Sequence, residues 1–167
     1  MKVAISACLL GHPVRYDGGH KRADALLSAL DAHVQWIPFC PEEELGLGVP
    51  REPIRIERSI GALRLLGVDS RRDHTAAMQA FASRRVDDLL AQGICAAIFK
   101  SRSPSCGLNG VAVHEDDSST AKGRGFFAAA LAAHCGGMPM AEEEELNDPE
   151  RREAFIEAAR RFDKKRL

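Results

Sequence analysis

Five cysteines, Cys8, Cys40, Cys95, Cys106 and Cys135, carry the sharpest chemistry in this sequence. A thiolate is a nucleophile and a soft metal ligand. Their number is odd, they are widely scattered and no C-x-x-C pair occurs, which makes a poor disulfide framework. Three of them share a setting. Cys8 lies at the end of the apolar run 3–10, Cys40 closes the run 34–39, and Cys106 sits in the turn-forming loop 101–107 that follows the run 94–100. Cys95 begins a run and Cys135 ends a helical stretch, so both read as small buried hydrophobes. If the runs are parallel strands, the first three thiols meet beyond the carboxyl ends, where ligands collect in open α/β sheets. There they suit zinc or an iron–sulfur centre, and three protein ligands leave one coordination position open for a substrate. A single nucleophilic cysteine flanked by Arg102 is a third option. Spacing does not decide among the three.

The elements that must position these thiols follow from hydrophobic periodicity. The runs 3–10, 34–39 and 94–100 are short, apolar and bounded by turn formers, as buried strands are. Helical spacing marks residues 22–32, a stretch from about Asp73 to Gly93 with Thr75 near its start, residues 126–134, and the tail from Pro149. Residues 41–58 read as an irregular loop rich in proline and charge, 111–113 as a short strand and 114–124 as a polar connection. The charge run 142–145 reads as a solvated turn or helix start rather than a metal site. The expected fold class is α/β: a single domain over 1–167, with a mostly parallel sheet covered by helices on both faces in a Rossmann-like three-layer arrangement.

Composition narrows the function. The chain has 167 residues, with 23 Lys plus Arg against 24 Asp plus Glu and a net charge of −1. That balance argues against a dedicated polynucleotide binder, so full-length nucleic acid is an unlikely partner. Nothing approaches the roughly 20 apolar residues of a membrane span. The opening Met1-Lys2-Val3-Ala4-Ile5-Ser6-Ala7-Cys8 has small residues before a cysteine, as a lipoprotein cleavage box does. Its apolar stretch is too short for an export signal, and a reduced cytoplasmic protein is the expectation.

Four stretches carry a resemblance: Ser6-Ala7-Cys8-Leu9-Leu10-Gly11, Arg15-Tyr16-Asp17-Gly18, Cys40-Pro41-Glu42 and Lys100-Ser101-Arg102-Ser103-Pro104-Ser105-Cys106-Gly107. Together with Pro50-Arg51-Glu52-Pro53 and the glycine-rich entry at 123–127, they resemble the DUF523 family, whose characterised members include thiouracil desulfidases. The resemblance implies a 4Fe–4S cluster on Cys8, Cys40 and Cys106, with one iron free for the sulfur of the substrate. It implies Glu42 as the acid–base residue and a serine of the 101–105 loop in the site, Ser101 first and Ser103 next. The implied activity is non-redox desulfuration of a 2- or 4-thiouracil-type nucleobase, nucleoside or nucleotide, with release of hydrosulfide. Many relatives have a second cysteine just before Arg15-Tyr16-Asp17-Gly18, where this chain has Val14.

Arg15, Asp17 and Arg102 are the candidate substrate-binding residues, because guanidinium forks match phosphate and Asp17 can orient Arg15 or a ring N–H. Arg51 and Arg124 belong to the same arginine set, and the histidines show no metal-binding spacing. The competing readings are an iron–sulfur or zinc sensor or structural module without turnover, and an enzyme that inserts sulfur. The latter lacks a G-x-x-x-x-G-K-[ST] loop for nucleotide activation.

Overall fold

In a computed structural model that describes residues 1–116 and 118–165, the three apolar runs become neighbours in a four-stranded parallel sheet. Its strands are β1 (Lys2–Ser6), β2 (Gln35–Phe39), β5 (Ala96–Phe99) and β8 (Met140–Glu142), in the order β2-β1-β5-β8. Successive residues face opposite sides, as the period of a strand requires. Val3, Ile5, Ala96, Ile98 and Ala141 pack with Leu26, Leu27 and Leu30 of α1 (Asp24–Leu30) and Phe155, Ile156 and Ala159 of α5 (Pro149–Lys165). Ala4, Ala97 and Phe99 pack on the other side with Ala82, Val86 and Leu89 of α3 (Thr75–Ala91) and Phe127, Ala128 and Leu131 of α4 (Phe126–His134). Phe39 sits at the centre of this second layer, stacked on Phe127 at 5.1 Å and edge-on to Phe99 at 5.6 Å. Pro38 is accommodated because β2 is an edge strand.

Register brings the strand ends level. Ser6 pairs with Phe39, and Phe99 pairs with Glu142. β2 lies on one side of β1 and β5 on the other, so the chain reverses its direction of travel across the sheet around β1, where a crevice opens.

A second four-stranded sheet corrects the expectation of one mostly parallel sheet. Its order is β4-β3-β6-β7, from β3 (Ile54–Ser59), β4 (Ala62–Gly67), β6 (Val111–Glu115) and β7 (Ser118–Gly123). Only β3 and β6 run parallel, and both outer pairs are antiparallel. The described chain is thus an α/β protein with one parallel sheet, one mixed sheet and five α-helices. Ile54, Ile56, Leu65, Val111 and Val113 cover one face of the mixed sheet together with Met78 of α3.

Three local expectations are revised with it. The stretch 41–58 contains α2 (Pro41–Glu44) and all of β3 but Ser59, and 114–124 contains the end of β6 and all of β7, while Asp117 lies outside the described residues. In β3, Ile54 and Ile56 point inward while Arg55 and Glu57 alternate with them, so charge masked a strand with one wet face. The run 3–10 is a strand only as far as Ser6, because Ala7–Leu10 tightens into a 3₁₀ turn. Gly11 ends that turn at φ 97°, a left-handed conformation that glycine adopts without a Cβ penalty.

The solvated side of the mixed sheet carries its own electrostatics. Arg71 and Arg55 both donate to Glu57, and the Arg71 hydrogen bond first of all lowers the Glu57 carboxyl from its ordinary 4.5 to about 2. Hydrogen bonds from Thr75 and Arg64 bring Asp73 to about 2 as well. Between these values and the ordinary carboxylate range the unfolded chain binds more protons, so stability rises with pH. Stability is therefore expected to be complete above pH 4.5 and to fall as pH drops towards 2. In acid titrations followed by urea unfolding, Glu57→Gln should flatten part of that slope, leaving the share due to Asp73.

Candidate functional site

The aligned carboxyl ends of the parallel sheet open onto a cavity of about 610 Å³. Cys8, Cys40 and Cys106 all line it, with Val14, Arg15, Glu42, Arg51, Lys100, Ser101, Arg102, Ser103 and Glu143 among their neighbours. Each thiol is delivered by a different piece of chain. Cys8 sits in the 3₁₀ turn after β1, and its carbonyl accepts the N–H groups of Gly11 and Lys21 at 3.2 and 2.9 Å. Cys40 is the residue before α2, in extended conformation, with Pro41 taking the first helical position, where a missing N–H costs nothing. The Cys40 N–H donates to Glu44 Oε1 at 2.8 Å.

Cys106 lies well beyond Phe99, the last residue of β5, in a loop seated on the start of α4. The N–H groups of Gly125, Phe126 and Phe127 donate to the carbonyls of Gly107, Pro104 and Ser105 at 2.7, 3.1 and 2.9 Å. The loop thereby satisfies donors that a helix start leaves without intrahelical partners. A side chain at Gly125 would meet the backbone of Ser105 at 2.4 Å. Ser103 Oγ accepts the N–H of Cys106 at 3.1 Å and of Ser105 at 3.3 Å, tightening the turn from inside. From β8, Glu142 accepts the N–H groups of Leu108 and Asn109 at 2.8 and 3.3 Å.

The thiols repel one another's ionisation. Burial pushes Cys8 up to about 11, with Cys40 adding to the rise while Arg15 and Lys100 oppose it. Burial also raises Cys40. It lifts Cys106 well above the ordinary thiol range, aided by the charge of Cys40 and opposed by a hydrogen bond with Ser6. These three side chains could hold a thiophilic centre, whose positive charge would favour the thiolates that burial disfavours. None of the five cysteines is in a disulfide. Among the described residues no group of three or more His, Cys, Asp or Glu side chains is gathered closely enough for a single metal ion. One tetrahedral zinc holds its sulfurs about 3.8 Å apart, given Zn–S bonds of about 2.3 Å. Three thiols from separate elements around one cavity are a donor set for a thiophilic centre.

Glu42 faces the same cavity from α2. Arg51 donates to its Oε2 through Nε and Nη2 at 2.9 and 2.8 Å, and Ser105 Oγ donates to Oε1 at 2.8 Å. The Arg51 and Glu42 side chains are only 6% and 13% exposed, so the pair is largely removed from water. Arg51 also reaches the carbonyls of Gly48 and Val14, tying the 48–51 segment to residues 14–16 at the cavity wall.

Scanned against family models, the chain matches the model described as 2-thiouracil desulfurase over residues 3–144. The chain belongs to the 2-thiouracil desulfurase family. Among solved structures it is similar to the [4Fe-4S]-dependent thiouracil desulfidase TudS, with a TM-score of 0.69 and 34% identity, covering 93% of this chain and 97% of that one. It is also 29% identical over 158 residues to the uncharacterised protein YbbK of Bacillus subtilis (strain 168), covering 87% of this chain and 98% of YbbK.

Within this family member, the structure gathers most of the residues singled out from sequence and sets others aside. Arg15 lines the cavity and lies 3.7 Å from Asp17. Asp17 itself is not among the lining residues, and it accepts the N–H of Gly19 at 2.9 Å as a turn residue does. Arg102 stands at the rim in left-handed conformation, mostly exposed and paired with Glu144. Arg124 turns to the carbonyl of Leu108 at 2.9 Å. Cys95 and Cys135 lie in the two hydrophobic layers. Sequence reasoning missed Ser105 as the partner of Glu42, and missed Glu143 by treating 142–145 as solvated. Glu142 and Glu143 are buried instead, because Glu142 ends a strand at the cavity and Glu143 follows it there. The three apolar or small residues before Glu142 were the available signal.

Two outcomes test this construction. Gly125→Ala should displace the Cys106 loop and lower the urea midpoint, since the new methyl meets backbone rather than a movable side chain. Arg51→Met should cost about 3–5 kcal/mol in urea unfolding by stranding a buried carboxylate, and adding Glu42→Met should recover part of the loss.

Proposed function

We propose that the protein is a 4Fe–4S-dependent desulfidase that removes sulfur from a small thiouracil-type nucleobase, nucleoside or nucleotide. The observation that carries the reading is the meeting of the buried Cys8 and Cys106, the half-buried Cys40 and the Arg51-held Glu42 at one cavity, in a chain of this family. Cys8, Cys40 and Cys106 would hold the cluster. The donor set fits, being three soft ligands from separate elements around a space larger than one ion needs. When bound, the cluster supplies a soft Lewis acid with one position left open by the protein for the sulfur of the substrate.

The chain's own residues then account for the protons. Glu42 takes a proton from the water that attacks the thiocarbonyl carbon, and returns it to the departing sulfur or a ring nitrogen. Arg51 occupies Oε2 and Ser105 donates to Oε1, so the carboxylate is fixed in direction while Oε1 keeps a lone pair for water. A C=S bond and water become a C=O bond and hydrogen sulfide, with no electron gained or lost. Ser103 holds the turn around Cys106, while Ser101 stands in the wall against the substrate. Arg15, with Arg102 further out at the rim, would meet the polar edge or phosphate of a larger substrate, and Asp17 would act through Arg15.

The same proposal places the chain in a reducing, cytoplasmic setting, as one domain over 1–167, with its thiols available for the cluster. No described helix is long and apolar enough to cross a membrane. The net charge of −1 favours small substrates over full-length nucleic acid.

Anaerobically reconstituted protein should bleach the thiocarbonyl absorbance of 2-thiouracil and release sulfide in equal amount. Cys8→Ser and Cys106→Ser should lower iron per chain and abolish turnover. Glu42→Gln should keep its iron while kcat falls by about 10²–10⁴. Undiminished turnover in Glu42→Gln, or in protein stripped of iron, would refute the assignment.

A further inference from the structure

Lys100, Ser101 and Glu143 form a buried polar cluster in the cavity wall whose arrangement neither the thiols nor Glu42 requires. Lys100 and Ser101 follow β5 directly and Glu143 follows β8, two strands whose ends are in register. The Glu143 carboxylate takes both donors of Ser101: Oε2 accepts the backbone N–H at 2.7 Å and Oε1 accepts the hydroxyl at 2.9 Å. The Lys100 ammonium donates to Ser101 Oγ at 2.7 Å and pairs with Glu143 Oε1. The Lys100 and Glu143 side chains are 14% and 11% exposed.

A serine hydroxyl has one proton and two lone pairs. Here the proton goes to Glu143 and one lone pair to Lys100, which leaves one lone pair and no proton for a ligand. The ammonium has three donors. Two are engaged in the cluster, and the third has only the Ser101 carbonyl at 3.4 Å. The wall therefore offers an acceptor beside a donor. Its complement is an N–H beside a carbonyl oxygen, the lactam edge of a heterocycle.

We propose that Glu143 is a positioning residue for substrate choice: through Ser101 and Lys100 it fixes the hydrogen-bond polarity of the wall, which selects thio-heterocycles presenting a ring N–H next to a ring carbonyl. The inference rests on the desulfidase reading and adds the residue that sets its choice of substrate. 2-Thiouracil has such an edge, whereas its N3-methyl derivative lacks the donor. A site built around a hydrogen bond rejects the partner that lacks it, because its own groups are left unpaired. Glutamine at 143 cannot serve both Ser101 donors, since one of its two terminal atoms is itself a donor.

The test is equilibrium binding of uracil and 1,3-dimethyluracil, unreactive oxo analogues with and without a ring N–H, to cluster-loaded protein by calorimetry, together with turnover of 2-thiouracil. The wild type should prefer uracil by about tenfold or more. In Glu143→Gln with unchanged iron per chain, that ratio should fall towards one and KM should rise more than kcat falls, while Glu143→Asp restores part of the preference. Equal binding of the two ligands by the wild type, or a wild-type preference retained in Glu143→Gln, would overturn the proposal. If Glu143→Gln does not fold, Ser101→Ala removes the acceptor without stranding a charge, and an intact preference in that variant overturns it equally. Wild-type protein that prefers uracil yet releases no sulfide from 2-thiouracil would sink the desulfidase reading and leave the edge recognition standing.

Discussion

Parallel pairing of β1, β2, β5 and β8 is the constraint on which the site depends. Strands that run the same way must end at the same edge, and their register puts Ser6 beside Phe39 and Phe99 beside Glu142. Whatever follows those residues in sequence is brought to a common crevice: Cys8, Cys40, the Lys100–Ser101 pair and Glu143. The hydrophobic layers on both faces of the sheet fix the strands, so the chemistry at their ends is carried by a rigid support.

Cys106 is the exception, because it lies out in a loop rather than at a strand end. The loop is held without regular structure of its own. Backbone donors at the start of α4 take three of its carbonyls, Glu142 takes two N–H groups at its far end, and Glu143 grips Ser101 at its near end. Two adjacent glutamates, the last residue of β8 and the one after it, thus act on opposite ends of one loop. Buried carboxylates are stable only when hydrogen-bonded or paired, and in satisfying that need each of these fixes a stretch of backbone beside the cavity.

Charge in this cavity is distributed in compensated groups. The Glu42–Arg51 pair and the Glu143–Lys100 pair each bring a carboxylate and a cation into partly dry surroundings, and each carboxylate also accepts from a serine, Ser105 in the first case and Ser101 in the second. At the three thiols burial outweighs the compensation: Arg15 and Lys100 favour the Cys8 thiolate, Arg51 that of Cys40 and a Ser6 hydrogen bond that of Cys106, yet all three are raised. A positively charged centre bound among them would favour the thiolates that burial disfavours.

Much of this was legible in the sequence. Short apolar runs ending in Cys8 and Cys40, and the loop around Cys106, implied a shared edge before any coordinates, since hydrophobic period and breakers are local properties of the chain. Strands β3 and β7 were not legible, because one wet face or an edge position fills a strand with Arg, Glu, Ser and Lys that locally resemble a loop. Nor could spacing reveal that Ser105 rather than its neighbours reaches Glu42, or that Glu143 is buried against Ser101. Those contacts join residues 63 and 42 positions apart. Sequence by itself determined which residues had chemistry to offer and near which strand ends they stood. Tertiary structure alone decided which of them share a hydrogen bond, because long-range pairing depends on how whole layers pack and leaves no trace in local pattern.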